Sequence, residues 1–176
     1  MYKGPHRKFK KQGQKKPSEY SLQLTEKQKL RKAYNLREKP LKRYFIAAKK
    51  RRVDIESSLS RQLERRLDNA LYRLGWAQTR SQAAQMVNHG HILVNKRRTT
   101  IPSYQVNKDD LIEVKESKKH THLFLNSAAK LAKHNPPAWL AFTTPDRLSA
   151  QVKDAPTREN FTEPVNLSLI LEFYSR

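Results

Sequence analysis

Between Ser57 and Glu116 the apolar residues change their period, and few folds accommodate both halves of that change. Leu59, Leu63, Leu67, Leu71 and Leu74 recur at intervals of four, four, four and three, which predicts one helical core stripe. Ser57, Ser58 or Ser60 caps its start, and Gly75 closes it at a C′ position. Thr79 followed by Gln82 has the capping-box pattern, and Ala83, Ala84, Met86 and Val87 give a second helical face that ends at Gly90. From His91 the period becomes two. Residues 91–94 are predicted as a strand, Asn95-Lys96 as a turn, 97–101 as a second strand broken by Pro102-Ser103, 107–110 as a turn and 111–114 as a last strand. The order helix–turn–helix–strand–turn–strand describes a compact α+β unit.

Charge separates this unit from its flanks. The 176 residues contain 37 Lys+Arg and 16 Asp+Glu, a net charge of +21. Residues 1–52 carry a net +16 and residues 53–176 only +5. Such an excess repels itself unless a polyanion neutralises it, and nucleic acid is the first candidate, ahead of an anionic membrane. Residues 1–16 have seven Lys or Arg and no acid, a basic arm without an apolar pattern. After Ser18, the apolar residues Leu22, Leu24, Leu30, Ala33 and Tyr34 predict a basic amphipathic helix. Pro40 opens a second, with Leu41, Tyr44, Phe45 and Ala48 on one face. These apolar strips are too narrow for a membrane-surface helix and suit packing of one helix on another. Near the end of the chain, Leu167, Ile170, Leu171 and Tyr174 again share one helical face, which is expected to return to the first two helices. Residues 135–176 carry four basic and five acidic residues, so this tail is expected to face protein more than nucleic acid.

Several functions are excluded by what the residues lack. The longest apolar run, at 138–142, is too short to cross a bilayer, and the N-terminus has no apolar signal-peptide core. There is no cysteine, no phosphate-cradling glycine-rich loop and no nucleophile–base pattern. The pairs His89/His91 and His120/His122 have no acidic or cysteine cluster to complete a metal site. No catalytic residue, metal or cofactor is therefore assigned. Trp139 is expected to pack in a core, and Arg65 to lie on a solvated helix face.

The candidate nucleic-acid contacts follow the charge. In the arm they are Lys3, Arg7, Lys8, Lys10, Lys11, Lys15 and Lys16. On the two basic helices they are Lys27, Lys29, Arg31, Lys32, Lys42, Arg43, Lys49, Lys50, Arg51 and Arg52. In the α+β unit they are Arg66, Arg73, Arg80, Ser81, Gln82, Gln85, Asn88, His89, His91, Asn95, Lys96 and Arg97. Arg80 and Gln85 are expected to be exposed. The amides at the start of the second helix of the unit add an anion-favouring dipole.

The central pattern resembles a known module. Arg66-Leu67-Asp68-Asn69, Leu74-Gly75, Arg80-Ser81 and the run from Val87-Asn88-His89-Gly90 to Val94-Asn95 are similar to the S4 RNA-binding domain. Ser18-Glu19-Tyr20, the segment from Leu22 to Arg31, Ile101-Pro102-Ser103-Tyr104 and the ending Leu171-Glu172-Phe173-Tyr174-Ser175-Arg176 narrow the resemblance to the small-subunit ribosomal protein S4 family of bacterial or organellar type. It spans about residues 18–176. The chain departs from that family in a shortened N-terminus, which cannot form the cysteine zinc cluster of some members. It also has Asn95-Lys96 where Asn-Gly is common; a lysine at positive φ is costly, so a turn other than type I′ is expected.

The resemblance implies an α+β protein of four parts. These are a flexible arm (1–17), a helical RNA-binding domain (18–58 with 155–176), the S4 module with its following helix (59–134) and a connecting segment (135–154). It implies a structural, non-enzymatic protein that binds small-subunit ribosomal RNA at a multi-helix junction of the five-prime domain and nucleates assembly. Its implied neighbours are ribosomal proteins S5 and S3 and the messenger RNA where it enters the subunit, with an influence on decoding accuracy. Its implied location is the bacterial cytoplasm, or an organelle. The alternatives are a stand-alone S4 RNA chaperone, disfavoured by the basic first 52 residues and the Phe173-Tyr174-Ser175-Arg176 ending, and an S4-containing RNA-modification enzyme. The residues after the module are too few for a catalytic domain.

Overall fold

The computed structural model describes residues 18–50, 54–121, 124 and 128–175. The predicted arm and the candidates Arg51 and Arg52 lie outside the described residues. Helices α1 (Glu19–Ala33), α2 (Glu38–Lys50) and α3 (Ile55–Glu64) are followed by α4 (Leu67–Arg73) and α5 (Arg80–Asn88). Then come β1 (Ile92–Val94), β2 (Arg97–Arg98), β3 (Leu111–Val114), α6 (Glu116–Lys119) and α7 (Ala128–Lys133). The chain ends with β4 (Leu140–Phe142), β5 (Ser149–Val152), a short 3-10 turn (Arg158–Asn160) and α8 (Leu167–Ser175).

Two cores organise these elements. The first gathers Leu30, Leu41, Ala48, Leu59 and Leu63 from the first three helices and Tyr34 and Leu36 from the α1–α2 turn with Leu167 and Ile170 of α8. The expected return of the C-terminal helix is therefore realised: Tyr174 stacks on Phe45 at 5.0 Å and donates its hydroxyl to Glu38 at 2.7 Å. The second core packs Leu67, Leu71, Leu74, Trp76, Met86 and Val87 of the helical hairpin against Ile92, Ile112, Val114, Trp139, Leu140 and Val152. Trp139 packs there as expected.

The predicted leucine stripe is continuous in burial but not in helix. All five leucines are fully buried, yet the chain breaks between α3 and α4, where Arg66 is extended at φ −64° and ψ 138°. Tertiary contacts make this break. The free first-turn amides of α4, on Leu67 and Asp68, donate to the carbonyls of Tyr104 and Pro102 at 2.8 and 3.1 Å. Val106 N–H donates to the Arg65 carbonyl at 2.9 Å, and Arg65 Nε returns a bond to the Val106 carbonyl at 2.8 Å. Arg65 is thus a clamp on the following loop rather than part of a solvated face. Leu59 and Leu63, before the break, belong to the first core, and Leu67, Leu71 and Leu74, after it, belong to the second.

The sheet is antiparallel with strand order β2-β1-β3-β5-β4. The segment expected to be a connection, 135–154, instead supplies β4 and β5, and Ala150 pairs with Ile112 across the β3–β5 ladder. The second strand is shorter than expected, ending at Arg98. The Asn95-Lys96 turn corrects the sequence expectation too: both residues are left-handed, φ 51° and 64°, as type I′ requires. Asn95 is held there on both sides of its amide. Its Nδ2 donates to Asp110 at 2.8 Å, and its Oδ1 accepts from Leu111 N–H at 2.9 Å.

Candidate nucleic-acid interface

The helical hairpin α4–α5 sets the module's surface. Thr79 caps α5 by accepting from Gln82 N–H at 3.1 Å, and Gln82 Oε1 accepts from Gln78 N–H at 2.7 Å. Gly90, at φ +68°, ends α5, and the Arg98 guanidinium lies over the place a Cβ would occupy. Ser81, Gln85, Asn88 and His89 are exposed on α5 and its end, and Gln82 and His91 are half-buried. Asn95, Lys96, Arg97 and the unforeseen Arg98 are exposed on the adjoining hairpin. These residues form one polar, basic edge. His91 sits 5.7 Å from the His89 ring, and burial, then the nearby Lys118 and His89, hold its pKa below the usual value. Its imidazole is therefore a neutral hydrogen-bonding group at pH 7.

On the helical unit, Lys29, Lys32, Lys42, Arg43, Lys49 and Lys50 are exposed, and Arg31 is half-buried. Arg37 and Lys39, which the sequence reading did not single out, are exposed beside them. Lys29 pairs with Glu26 at 2.5 Å, and Arg31 lies 3.6 Å from Glu38. Among the described residues, Lys32, Arg37, Lys39, Lys42, Arg43, Lys49 and Lys50 have no acidic partner within 4.0 Å, so their charge is available to an anion.

Four chosen cations are withdrawn from the surface, and the reason in each case is an internal partner. Lys27 is buried between α1 and α8, paired with Glu38 at 3.1 Å and lying 4.1 Å above the Phe173 ring. Arg66 is buried against Asp68, with Nε at 2.9 Å and NH2 at 2.5 Å, and donates from NH1 to the Tyr44 hydroxyl at 2.8 Å. Arg73 is mostly buried on Glu64, itself fully buried, at 2.8 and 3.1 Å. Arg80, expected to be exposed, is only 7% exposed. Its guanidinium lies between the rings of Tyr34 and Tyr72, at 4.3 and 4.4 Å, and bonds Asn69, the Ala33 carbonyl and Glu163 at 2.8, 3.0 and 2.6 Å.

These partners join the two units. Glu64 accepts from Tyr34 of the helical unit at 2.5 Å and from Asn69 and Arg73 of the module at 2.9 and 2.8 Å. Burial first, then the Glu64 carboxylate, push the Tyr34 phenol well above its usual pKa, so it stays a donor. Two basic surfaces are thus held on one rigid frame. Among the described residues no group of His, Asp and Glu could hold a metal ion.

This frame and edge define an S4-domain nucleic-acid-binding protein. Residues 65–112 match the S4 domain, and residues 1–67 match the ribosomal protein S4/S9 N-terminal domain. The small ribosomal subunit protein uS4 of Pelotomaculum thermopropionicum is 44% identical over 165 residues, covering 94% of this chain and 79% of that protein. That of Halothermothrix orenii is 47% identical over 162 residues, covering 92% and 77%. That of Sulfurihydrogenibium sp. is 44% identical over 165 residues, covering 93% and 80%. The chain belongs to the uS4 family of small ribosomal subunit proteins, a family of structural ribosomal proteins and not of enzymes.

Proposed function

We propose that the protein is a structural component of the small ribosomal subunit in the bacterial cytoplasm, and that it binds ribosomal RNA early and directly. The carrying observation is the set of unpaired cations on α2 and on the β1–β2 hairpin, displayed by two units that a buried ion-pair network locks together. A rigid pair of basic surfaces neutralises phosphates from several RNA helices at once and fixes the angle between them, which is what a nucleator of folding at a multi-helix junction must do. Membership in the uS4 family supports a site in the five-prime domain. It also supports neighbours S5 and S3 and a place near where messenger RNA enters, with an influence on accuracy. The contacts are assigned to the exposed residues of the sequence reading, and the arm residues Lys3 to Lys16 extend them. The domain division is proposed as a helical unit, 18–64 with the C-terminal helix, and a module from 65 to 154.

Chemical footprinting of the protein on full-length small-subunit ribosomal RNA tests this reading. Protection confined to a multi-helix junction of the five-prime domain, in the absence of other proteins, is expected. Diffuse protection, or protection that needs S5 or S3 first, would overturn the claim of primary binding.

A further inference from the structure

Asp110 is a buried carboxylate without a cation. It is 8% exposed, and among the described residues no Lys, Arg or His nitrogen lies within 4.0 Å of its oxygens, although the chain carries 37 Lys+Arg. Burying such a charge is costly unless hydrogen bonds compensate, and here both oxygens are engaged. Oδ1 accepts from Asn95 Nδ2 and Oδ2 accepts from Asn107 N–H, each at 2.8 Å. These two bonds join the β1–β2 hairpin to the 107–110 turn. That turn is itself anchored on two sides. Asp109 N–H donates to the Val152 carbonyl at 2.8 Å, and Val152 N–H donates to the Asp110 carbonyl at 3.0 Å. From the α3–α4 break, the Arg65 guanidinium donates to the Asn107 side-chain oxygen. A continuous chain of hydrogen bonds thus runs from the α3–α4 break through Asn107 and Asp110 to Asn95. The hairpin at its end needs an anchor. Strand β2 is two residues long, lies at the sheet edge and pairs only Arg97 with Val94 and Arg98 with Leu93. Turn geometry, more than ladder length, therefore decides where the hairpin side chains point.

We infer that Asp110 is a positioning residue for RNA binding: without touching RNA, it aims Lys96, Arg97 and Arg98 by holding Asn95. The inference rests on the proposed RNA-binding function and adds how the hairpin cations are brought to a fixed angle. All three are exposed, and among the described residues none has an acidic partner. Lys96, at φ 64°, opposes the turn, so the bridge from Asp110 to Asn95 replaces the preference that a glycine there would supply. The sign of the charge separates this role from that of a contact. A carboxylate in a phosphate-binding surface repels its ligand, so Asp110 favours binding only through geometry.

The test measures binding of the full chain to a transcript of the five-prime domain of small-subunit ribosomal RNA across a salt series. By charge alone, Asp110→Ala would tighten binding. Positioning predicts the reverse, an affinity about fivefold weaker and a slope of log K against log salt flatter by about 1. Asp109→Asn removes the same charge from the same turn, at an exposed side chain outside this hydrogen-bond chain, and should bind as tightly as the unaltered protein or tighter. Asn95→Gly leaves the left-handed backbone accessible and removes only the bridge. It should weaken binding as Asp110→Ala does, and the two effects should not add. In a Lys96→Gln, Arg97→Gln, Arg98→Gln background, Asp110→Ala should have no further effect, because no hairpin cation is left to aim. Amide exchange should quicken at Asn95 in both bridge variants while Ile112 and Ala150 of the β3–β5 ladder stay protected. If Asp110→Ala fails to fold, Asn95→Gly decides alone. Unweakened binding by Asn95→Gly, or an undiminished effect of Asp110→Ala in the glutamine background, would overturn the inference while leaving RNA binding intact. Failure of the unaltered protein to prefer this transcript over unrelated RNA of equal length would instead overturn the reading on which it rests.

Discussion

Arg80 is the residue whose position changes its meaning most. From spacing alone it sits on the polar side of α5 with Gln85, and a solvated contact is the natural expectation. In the structure it fills the space between Tyr34 and Tyr72 and bonds three other groups. No local pattern signals this, because Tyr34 and Glu163 arrive from distant parts of the chain and Tyr72 from the preceding helix. Removal leaves the Asn69 side-chain oxygen without its donor and Glu163 with only Arg73, 3.9 Å away, so Arg80→Ala should cost about 3 kcal/mol by denaturant titration. Gln85→Ala, at an exposed site, should cost less than about 0.5 kcal/mol. Equal losses would mean that the buried arginine contributes nothing beyond its helix propensity. Lys96 illustrates the opposite case, a residue whose conformation follows from its neighbours. Asn95, pinned by Asp110 and Leu111, commits the hairpin to type I′ whatever follows it. Lys96 then bears the strain of φ 64°. Lys96→Gly should raise stability by up to about 1 kcal/mol in chemical denaturation and weaken RNA binding through the lost charge. Destabilisation by glycine would show that the lysine makes a contact worth more than the strain.

At the scale of elements, the helices with one-sided apolar patterns were legible and the elements made by long-range pairing were not. Leu41, Phe45 and Ala48 announce α2, and Leu167 and Ile170 announce α8, because a 3.6-residue repeat is visible within one segment. Strands β4 and β5 are three and four residues long, and β5 consists of Ser149, Ala150, Gln151 and Val152. Apart from Val152 these residues have weak strand preference, and it is pairing of β5 with β3, and of β4 with β5, that makes them strands. The break at residues 65–66 is equally non-local, since carbonyls near residue 103 cap α4. Helix α1 shows a mixed outcome: Leu30 is buried as expected, while Leu22 is exposed and Gln23 and Lys27 are buried against α8. Gln23 achieves this by donating to Glu172 at 3.1 Å and Glu19 at 3.2 Å. The α1–α8 contact is therefore partly ionic, and Glu38 is its centre. Partial burial raises the Glu38 pKa, but hydrogen bonds from Tyr174 and Lys27 outweigh it and hold the carboxyl below its usual value of 4.5. A carboxyl depressed by folding stabilises the native state above its unfolded pKa and loses that contribution as pH falls through the folded value. Docking of α8 should accordingly weaken below pH about 4.5, seen as faster amide exchange in α8, and Glu38→Gln should remove that pH step. Deleting residues 165–176 should go further and unfold α1 and α2 while the sheet persists. Helical NMR signals retained at 22–34 and 41–50 in the truncated chain would show that the first core does not need α8.

The whole molecule has to reconcile a net charge of +21 with two small cores. Self-repulsion is strongest in the helical unit, whose own apolar core draws on four short helices. Deleting residues 1–16 should therefore reduce the salt dependence of RNA binding for all sequences alike, and an unchanged slope would make the arm a solubility tag only. What keeps the helical unit at a fixed angle to the module is a cluster of buried polar contacts, not apolar area. Glu64 gathers Tyr34, Asn69 and Arg73, and Arg80 reaches Ala33 from the module side. Buried ion pairs of this kind add little net stability compared with apolar substitutes, but breaking one leaves an uncompensated charge. Their value here is orientation, because a site built from both units works only if the units do not drift. The two tryptophans make this testable, since Trp76 and Trp139 both lie in the second core and report on the module alone. In the unaltered protein, thermal unfolding followed by tryptophan fluorescence and by far-ultraviolet helix signal should coincide. Glu64→Gln removes the buried charge opposite Arg73 and leaves one amide oxygen where two carboxylate oxygens accept from Tyr34, Asn69 and Arg73. The helix signal should then begin to fall several degrees before the tryptophan signal, and affinity for ribosomal RNA should drop although no exposed cation has changed. A single coincident transition in this variant, merely shifted to lower temperature, would show that the remaining contacts between the units, such as the bond from Gln105 Nε2 to the Gln62 carbonyl, suffice to couple them.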